Sequence, residues 1–201
     1  MSIVAGPVGL VHEARELAQT LLAGSPERWR HSIGVALRAE RVIDAIGDDQ
    51  DPDREIVVAA AWLHDIGYAD ALHDTGFHPL DGARFLLARG WPMRIAGLVG
   101  HHSEALSVAQ VQGLDEELAE FPKERSTAAD VLTYADRTVG PNGRVMTIED
   151  RLADMLRRHG PDSAHAIAHP HRAPLLRACL VRVEQCLAES RRASAGVLHH
   201  S

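Results

Sequence analysis

Apolar residues recur along this chain at intervals of three and four rather than two, the period of helices that bury one face. Val8, Val11, Ala14, Ala18, Leu21 and Leu22 share a face over residues 8–23, and Gly24 closes the segment. In "SPER", Ser25 and Pro26 restart a helix as N-cap and first helical residue, and it runs through Trp29, His31, Ile33, Leu37 and Ile43 to Gly47. Asp51 and Pro52 repeat that signal before a third helix, apolar on nearly every side from Ile56 to Leu63, which is the pattern of a central helix. It ends at His64-Asp65, with Gly67 in the C-cap position. Helices are predicted next from about Pro79 to Arg89, stopped by Gly90, and from Pro92 to about His102. Residues 103–125 are polar, contain Gly113 and Pro122, and predict a loop with one short acidic helix. Ser126 caps "TAADVLTYADRTV", "GPNG" at 140–143 is a turn, and "TIED" at 147–150 reads as a capping box before a helix to His159. A final helix covers about 172–193, ahead of a frayed tail.

The expectation is an all-α helical bundle. Composition agrees, since aromatics are only 4% and Ala, Leu, Arg and Glu dominate. At 201 residues, with neither an internal repeat nor a low-complexity linker, the chain reads as a single domain over 1–201. Its core spans about 25–138, and a C-terminal helical extension spans about 147–193. A net charge of −7 argues against general nucleic-acid binding and against an anionic membrane surface. Cys179 and Cys186 would lie ~10 Å apart on one helix, too far for a disulfide. With no leader and no apolar run of membrane length, the expected setting is the cytoplasm.

What changes the picture is where the polar residues interrupt the apolar runs. Of 13 histidines, His31, His64 with Asp65, His78 and the doublet His101-His102 lie at or near helix ends beside small residues, as does Asp136 in "LTYADRT". Buried ionisable groups cost several kcal/mol unless something pairs with them. Imidazole and carboxylate without cysteine suit Fe, Mn or Zn and disfavour a structural thiolate zinc site. Adjacent His64 and Asp65 diverge by about 100° on a helix, so one ion takes both only where the helix stops. His31 and Asp136 must then face that end from neighbouring helices. If His78 and the doublet also converge, Asp65 could bridge two ions.

The ordered segments "RHSIGVA", "LHDIGY", "FHPLDGARFL", "LVGHHSEA" and "LTYADRT" resemble the HD-domain superfamily of metal-dependent phosphohydrolases, over roughly residues 25–138. The resemblance implies an all-α HD-type bundle in which His31, His64, Asp65 and Asp136 hold one metal. His78 and one or both of His101 and His102 match the ligands of a second. The extra histidines are similar to those of two-metal members, among them cyclic-dinucleotide phosphodiesterases. This chain, however, has no GYP after "HHSEA" and carries Tyr68 where those enzymes commonly place Lys. The cofactors implied are one or two divalent ions: iron or manganese first, then zinc, magnesium, nickel or cobalt.

The function implied is hydrolysis of a phosphoester of a small molecule or nucleotide, with Asp65 holding the attacking water and Arg137 clamping the phosphate. Arg30 and Arg144 are further clamp candidates. Glu27, one helical turn before His31, is a candidate third-metal residue or a simple helix-start acid. Two alternatives remain at this stage: an HD-fold diiron oxygenase acting on a small polyol or phosphonate, and a nucleotide-binding module without turnover. "GPNGR" reads as a turn that packs, or as a loop that closes over the site. His12, His73, His159, His165, His169, His171, His199 and His200 read as surface residues, and the last helix could support a homodimer.

Overall fold

The computed structural model describes residues 9–47 and 53–198. Among them lie ten α-helices: α1 (Leu10–Leu21), α2 (Pro26–Ile46), α3 (Asp53–Leu63), α4 (His78–Ala88), α5 (Met93–His101), α6 (Leu106–Gln112), α7 (Asp115–Leu118), α8 (Thr127–Thr138), α9 (Ile148–His159) and α10 (Ala164–Leu198). The only extended pairing among the described residues is an isolated antiparallel bridge between Val139 and Val145. The fold is all-α. No helix among these residues is long and apolar enough to cross a membrane.

The apolar run of α3 has its expected consequence, because every residue from Val57 to Gly67 is buried. The helix packs against α1, α2, α5 and α8, which is why it needs an apolar surface all round. One core links α1 through α8 and reaches Leu180 and Val183 of α10. A smaller cluster of Leu152, Met155, Ala173 and Leu176 joins α9 to α10. Local signals act where capping needs them. Ser126 accepts from Ala129 N at 3.1 Å, and Thr147 accepts from Asp150 N at 3.1 Å while donating its hydroxyl to the Asp150 carboxylate. Ser25 makes no side-chain cap bond, and Asp51 and Pro52 lie outside the described residues.

Three expectations need correction. Residues 103–125 carry two helices, α6 and the acidic α7, not one. The last helix begins at Ala164 and reaches Leu198, taking Pro170 and Pro174 into its length. Prolines lack the N–H and normally break a helix, so "HPHRAP" reads as a boundary from sequence, but packing of α10 on α8 and α6 carries the helix through it. Gly67 is not a left-handed C-cap. It lies within a 3₁₀ turn, Ile66–Tyr68, where a Cβ would stand 2.0 Å from the His78 carbonyl oxygen and 2.8 Å from Gly82 N. Glycine is required here because α4 crosses the chain in direct backbone contact.

Candidate metal centre

Five segments deliver polar groups to one end of α3. His31 comes from α2, His64 and Asp65 follow the last residue of α3, His78 opens α4, His102 follows α5, and Asp136 lies on α8. All are buried except His78, which is partly exposed. His64, Asp65 and His31 offer donor atoms within 4.8 Å of one another, as do Asp65, His78 and His102, so Asp65 is common to both groups. Asp65 Oδ1 lies 3.5 Å from His64 Nε2 and 3.4 Å from His78 Nε2, while Oδ2 lies 3.9 Å from His31 Nε2.

The imidazoles are aimed by backbone carbonyls. His64 Nδ1 donates to Ala61 O at 2.8 Å, His102 Nδ1 to Val99 O at 2.6 Å, and His31 Nδ1 to Gly140 O at 3.1 Å. A carbonyl only accepts, so each ring carries its hydrogen on Nδ1 and, when neutral, presents a bare Nε2. For His31 the carbonyl belongs to "GPNG", which therefore packs beside the site. That loop approaches α2 so closely that a Cβ on Gly34 would stand 2.8 Å from Gly143 Cα, and one on Gly143 2.7 Å from Arg30 O. The glycine of "RHSIGVA" thus lets a carbonyl reach the histidine three residues before it.

His78 is oriented differently, its ring stacked on Tyr68 at 3.9 Å while Arg28 covers the other face of that tyrosine at 3.6 Å. The loop before it is tied by Asp81, whose carboxylate accepts from Thr75 N at 3.0 Å, Gly76 N at 3.2 Å and the Thr75 hydroxyl at 2.7 Å. Asp136 is held by Arg137 Nη2 at 2.7 Å and by the hydroxyl of Ser103, which also accepts from Arg137 Nε at 2.8 Å. Ser103 adopts φ 54° and ψ 38°, the left-handed region, so the turn that presents His102 carries backbone strain.

Electrostatics keep these groups in ligand form. Burial pushes His64 and His78 below the ordinary imidazole value and takes His102 down to about 4, with the neighbouring His64 adding to it. Burial opposes ionisation of Asp65, yet His64, Arg28, His78 and His31 hold it far below the usual carboxylate range. Asp136 is likewise held low against burial, by Arg137 and His31. Neutral imidazoles and ionised carboxylates are what a divalent ion needs.

A cation also removes two difficulties. His64 Nε2 is buried without a hydrogen-bond partner, and His31 Nε2 lies 3.0 Å from Asp136 Oδ1. With His31 neutral, its bare Nε2 and the carboxylate oxygen repel at that range unless a cation sits between them; as an imidazolium it would donate Nε2–H to Asp136 instead. The donor set fits a divalent metal.

A scan against protein families matches the HD domain over residues 28–155. The chain belongs to the HD-domain family. This is the metal-dependent phosphohydrolase superfamily, and the buried His/Asp cluster of this HD domain is compatible with divalent metal binding. No curated protein and no solved structure matches the chain.

Not every sequence candidate joins the HD cluster. The 101–102 doublet divides. His102 points to the cluster, but His101, the last residue of α5, donates Nε2–H to Phe121 O at 3.0 Å. It lines a second cavity of about 950 Å³, where Lys123 pairs with Glu104 at 2.8 Å and Arg182 with Asp130 at 2.6 Å. Neighbours on a helix diverge, so His102 reaches the cluster while His101 does not, and His102 borders both cavities. Glu27 is an exposed partner of Arg158 at 3.3 Å. Arg30 and Arg144 are exposed and do not line the site.

Other residues do line it. Arg28 reaches Asp65 Oδ2 at 3.2 Å; it lies three before His31, on the same helical face, so its spacing was a usable signal. Arg151 is buried where the apolar stripe Ile148, Leu152, Met155 calls for a hydrophobe, another readable sign. Arg172 and His165 come from the first turns of α10, and His165, taken from sequence as a surface residue, is only partly exposed and faces the cavity. Nothing local marks these two.

Proposed function

We propose that this HD domain is a metal-dependent hydrolase that cleaves a phosphoester of a small molecule or nucleotide. The observation that carries the reading is Asp65, a carboxylate common to two groups of imidazole donors, with arginines lining the same cavity. Divalent ions held by His31, His64, Asp65 and Asp136, and by Asp65, His78 and His102, would acidify a coordinated water and screen phosphate charge. The chain's own side chains do the rest. Asp65 is the acceptor that orients the attacking water. Arg28 and Arg137 bind phosphate oxygens, each anchored through a carboxylate, Asp65 or Asp136. Arginine suits this role by its planar fork of donors. An arginine-lined site favours an anionic substrate over a neutral polyol; a phosphonate, the other substrate of the oxygenase alternative, is anionic as well, so it is phosphate release that separates the two reactions. The reading includes a cytoplasmic setting, in which Cys179 and Cys186 remain the free thiols they are here.

The test combines metal analysis of protein purified without chelator with a phosphomonoester, nucleotide and cyclic-dinucleotide hydrolysis panel. Phosphate release is expected in the wild type, and His64→Ala should lower both metal content and rate, the latter at least ~100-fold. Hydrolysis that survives His64→Ala overturns the reading, as does oxygen uptake with reduced iron and no phosphate release.

A further inference from the structure

The cavity over the cluster is lined by five arginines, Arg28, Arg137, Arg151, Arg158 and Arg172, against two carboxylates, Asp65 and Asp136. Arg28 and Arg137 have those carboxylates as partners. The other three do not share them closely. Arg151 is buried, its Nε has no hydrogen-bond partner, and its nearest carboxylate oxygens stand 3.7 Å away on Asp154 and 3.8 Å away on Asp136. Arg172, also buried, donates from Nε and Nη2 to the Ser103 carbonyl at 2.9 and 2.6 Å and from Nη1 to His165 Nδ1 at 3.2 Å, and among the described residues it makes no ion pair. Arg158 is exposed and has carboxylate partners of its own, Asp154 at 2.9 Å and Glu27 at 3.3 Å.

Arg172 is thus a buried positive charge without a counter-charge, which costs several kcal/mol, and Arg151 is buried with its carboxylates no nearer than 3.7 Å. The groups feel it: burial and the neighbouring Arg137 lower Arg172 to about 9, and burial and Arg172 lower His165 to about 3. Because His165 Nδ1 accepts from Arg172, its hydrogen is on Nε2 and is available to an acceptor. The His159 ring lies 4.1 Å from that of His165 at the cavity mouth. Bound divalent cations would add to the positive charge around Arg151 and Arg172, so the counter-charge that suits these two is an anionic ligand. Arg158, His159, His165 and Arg172 belong to the end of α9 and the start of α10, beyond the family match at residue 155.

We infer that Arg151, Arg158, His165 and Arg172 form a second anion subsite beside the metal centre, so that the substrate is a doubly anionic small molecule, with one phosphate at the metals and another anionic group between α9 and α10. This inference rests on the phosphohydrolase reading for the role of the first phosphate. The whole cavity holds about 40 Å³ as it stands, and the exposed Arg158 and His159 side chains border it where it opens to solvent.

Isothermal titration of the metal-loaded protein with inorganic phosphate and with methylenebisphosphonate, which cannot be hydrolysed, tests the subsite. The wild type is expected to bind the bisphosphonate at least tenfold tighter than phosphate. In the double variant Arg158→Gln/His165→Gln that ratio should fall about tenfold, with phosphate affinity changed less than twofold. Arg158 is exposed and His165 partly exposed, and a melting temperature within a few degrees of wild type verifies the fold. A ratio unchanged in the variant means that the bisphosphonate is held by the metals alone and overturns the inference, as does a wild type that does not distinguish the two probes. If the ratio responds as expected but no phosphoester is hydrolysed, the hydrolase reading fails and the subsite stands.

Discussion

Gly67→Ala puts the contact between the His-Asp turn and α4 to a direct test. The new methyl carbon would stand 2.0 Å from the His78 carbonyl oxygen, so α4 must retreat by about 1.4 Å to reach ordinary contact at 3.4 Å. Overpacking costs about 1–3 kcal/mol. Here the obstacle is backbone, which cannot rotate aside, so we expect the upper end, about 3 kcal/mol. For a chain of this size that lowers the melting temperature by about 6–12 °C. The segment that moves begins with His78, whose Nε2 lies 3.4 Å from Asp65 Oδ1, so the variant should also lose metal at the Asp65, His78 and His102 group. Gly82→Ala is the control: its Cβ would meet Val99 Cγ1 at 3.3 Å and Gly67 N at 3.4 Å, which small shifts relieve. Calorimetric melting with metal analysis reads both effects. A Gly67→Ala protein that melts within 2 °C of wild type would refute the close-contact account, as would equal losses in the two variants.

The depressed imidazoles set a pH dependence in chelator-treated protein. His102 titrates near 4 when folded against about 6.5 in an unfolded chain, so protonation favours unfolding: its full stability is present above pH ~6.5 and about 3 kcal/mol is lost as pH falls toward 4. Asp65 and Asp136, held low, keep contributing through that window and weaken only below about pH 4. Urea midpoints that do not change between pH 7 and 4.5 would contradict this. Ser103→Ala removes a hydroxyl that ties Asp136 to Arg137 while keeping the left-handed strain, and should cost about 1–3 kcal/mol. Ser103→Gly loses the same bonds but relieves the strain, so denaturant melts should find it about 1 kcal/mol more stable than the alanine variant.

His31, His64, Asp65 and Asp136 were legible in the sequence because each breaks an apolar helical run near its end, and such a break is visible one residue at a time. The central position of α3 was legible for the same reason. The choice between His101 and His102 was not, because it depends on a left-handed turn at Ser103, a conformation that serine does not announce. Gly67 was conspicuous but misread: a local rule assigned it to a helix cap, while its cause lies across the fold at His78. Arg172 and His165 were hidden by Pro170 and Pro174, which suggest a helix boundary where tertiary packing maintains a helix.

The carbonyls that aim His64 and His102 have a further consequence. Ala61 O and Val99 O each lie three residues before their histidine, in the last turn of α3 and at the end of α5, so one bond both satisfies a terminal carbonyl and fixes an imidazole. The donors are therefore ordered by the fold itself, before any ion arrives. Metal uptake then carries little conformational entropy, unlike in small metal-folded domains, whose binding energy is consumed in ordering the chain. Affinity can be kept for the ion, and its release need not unfold the protein.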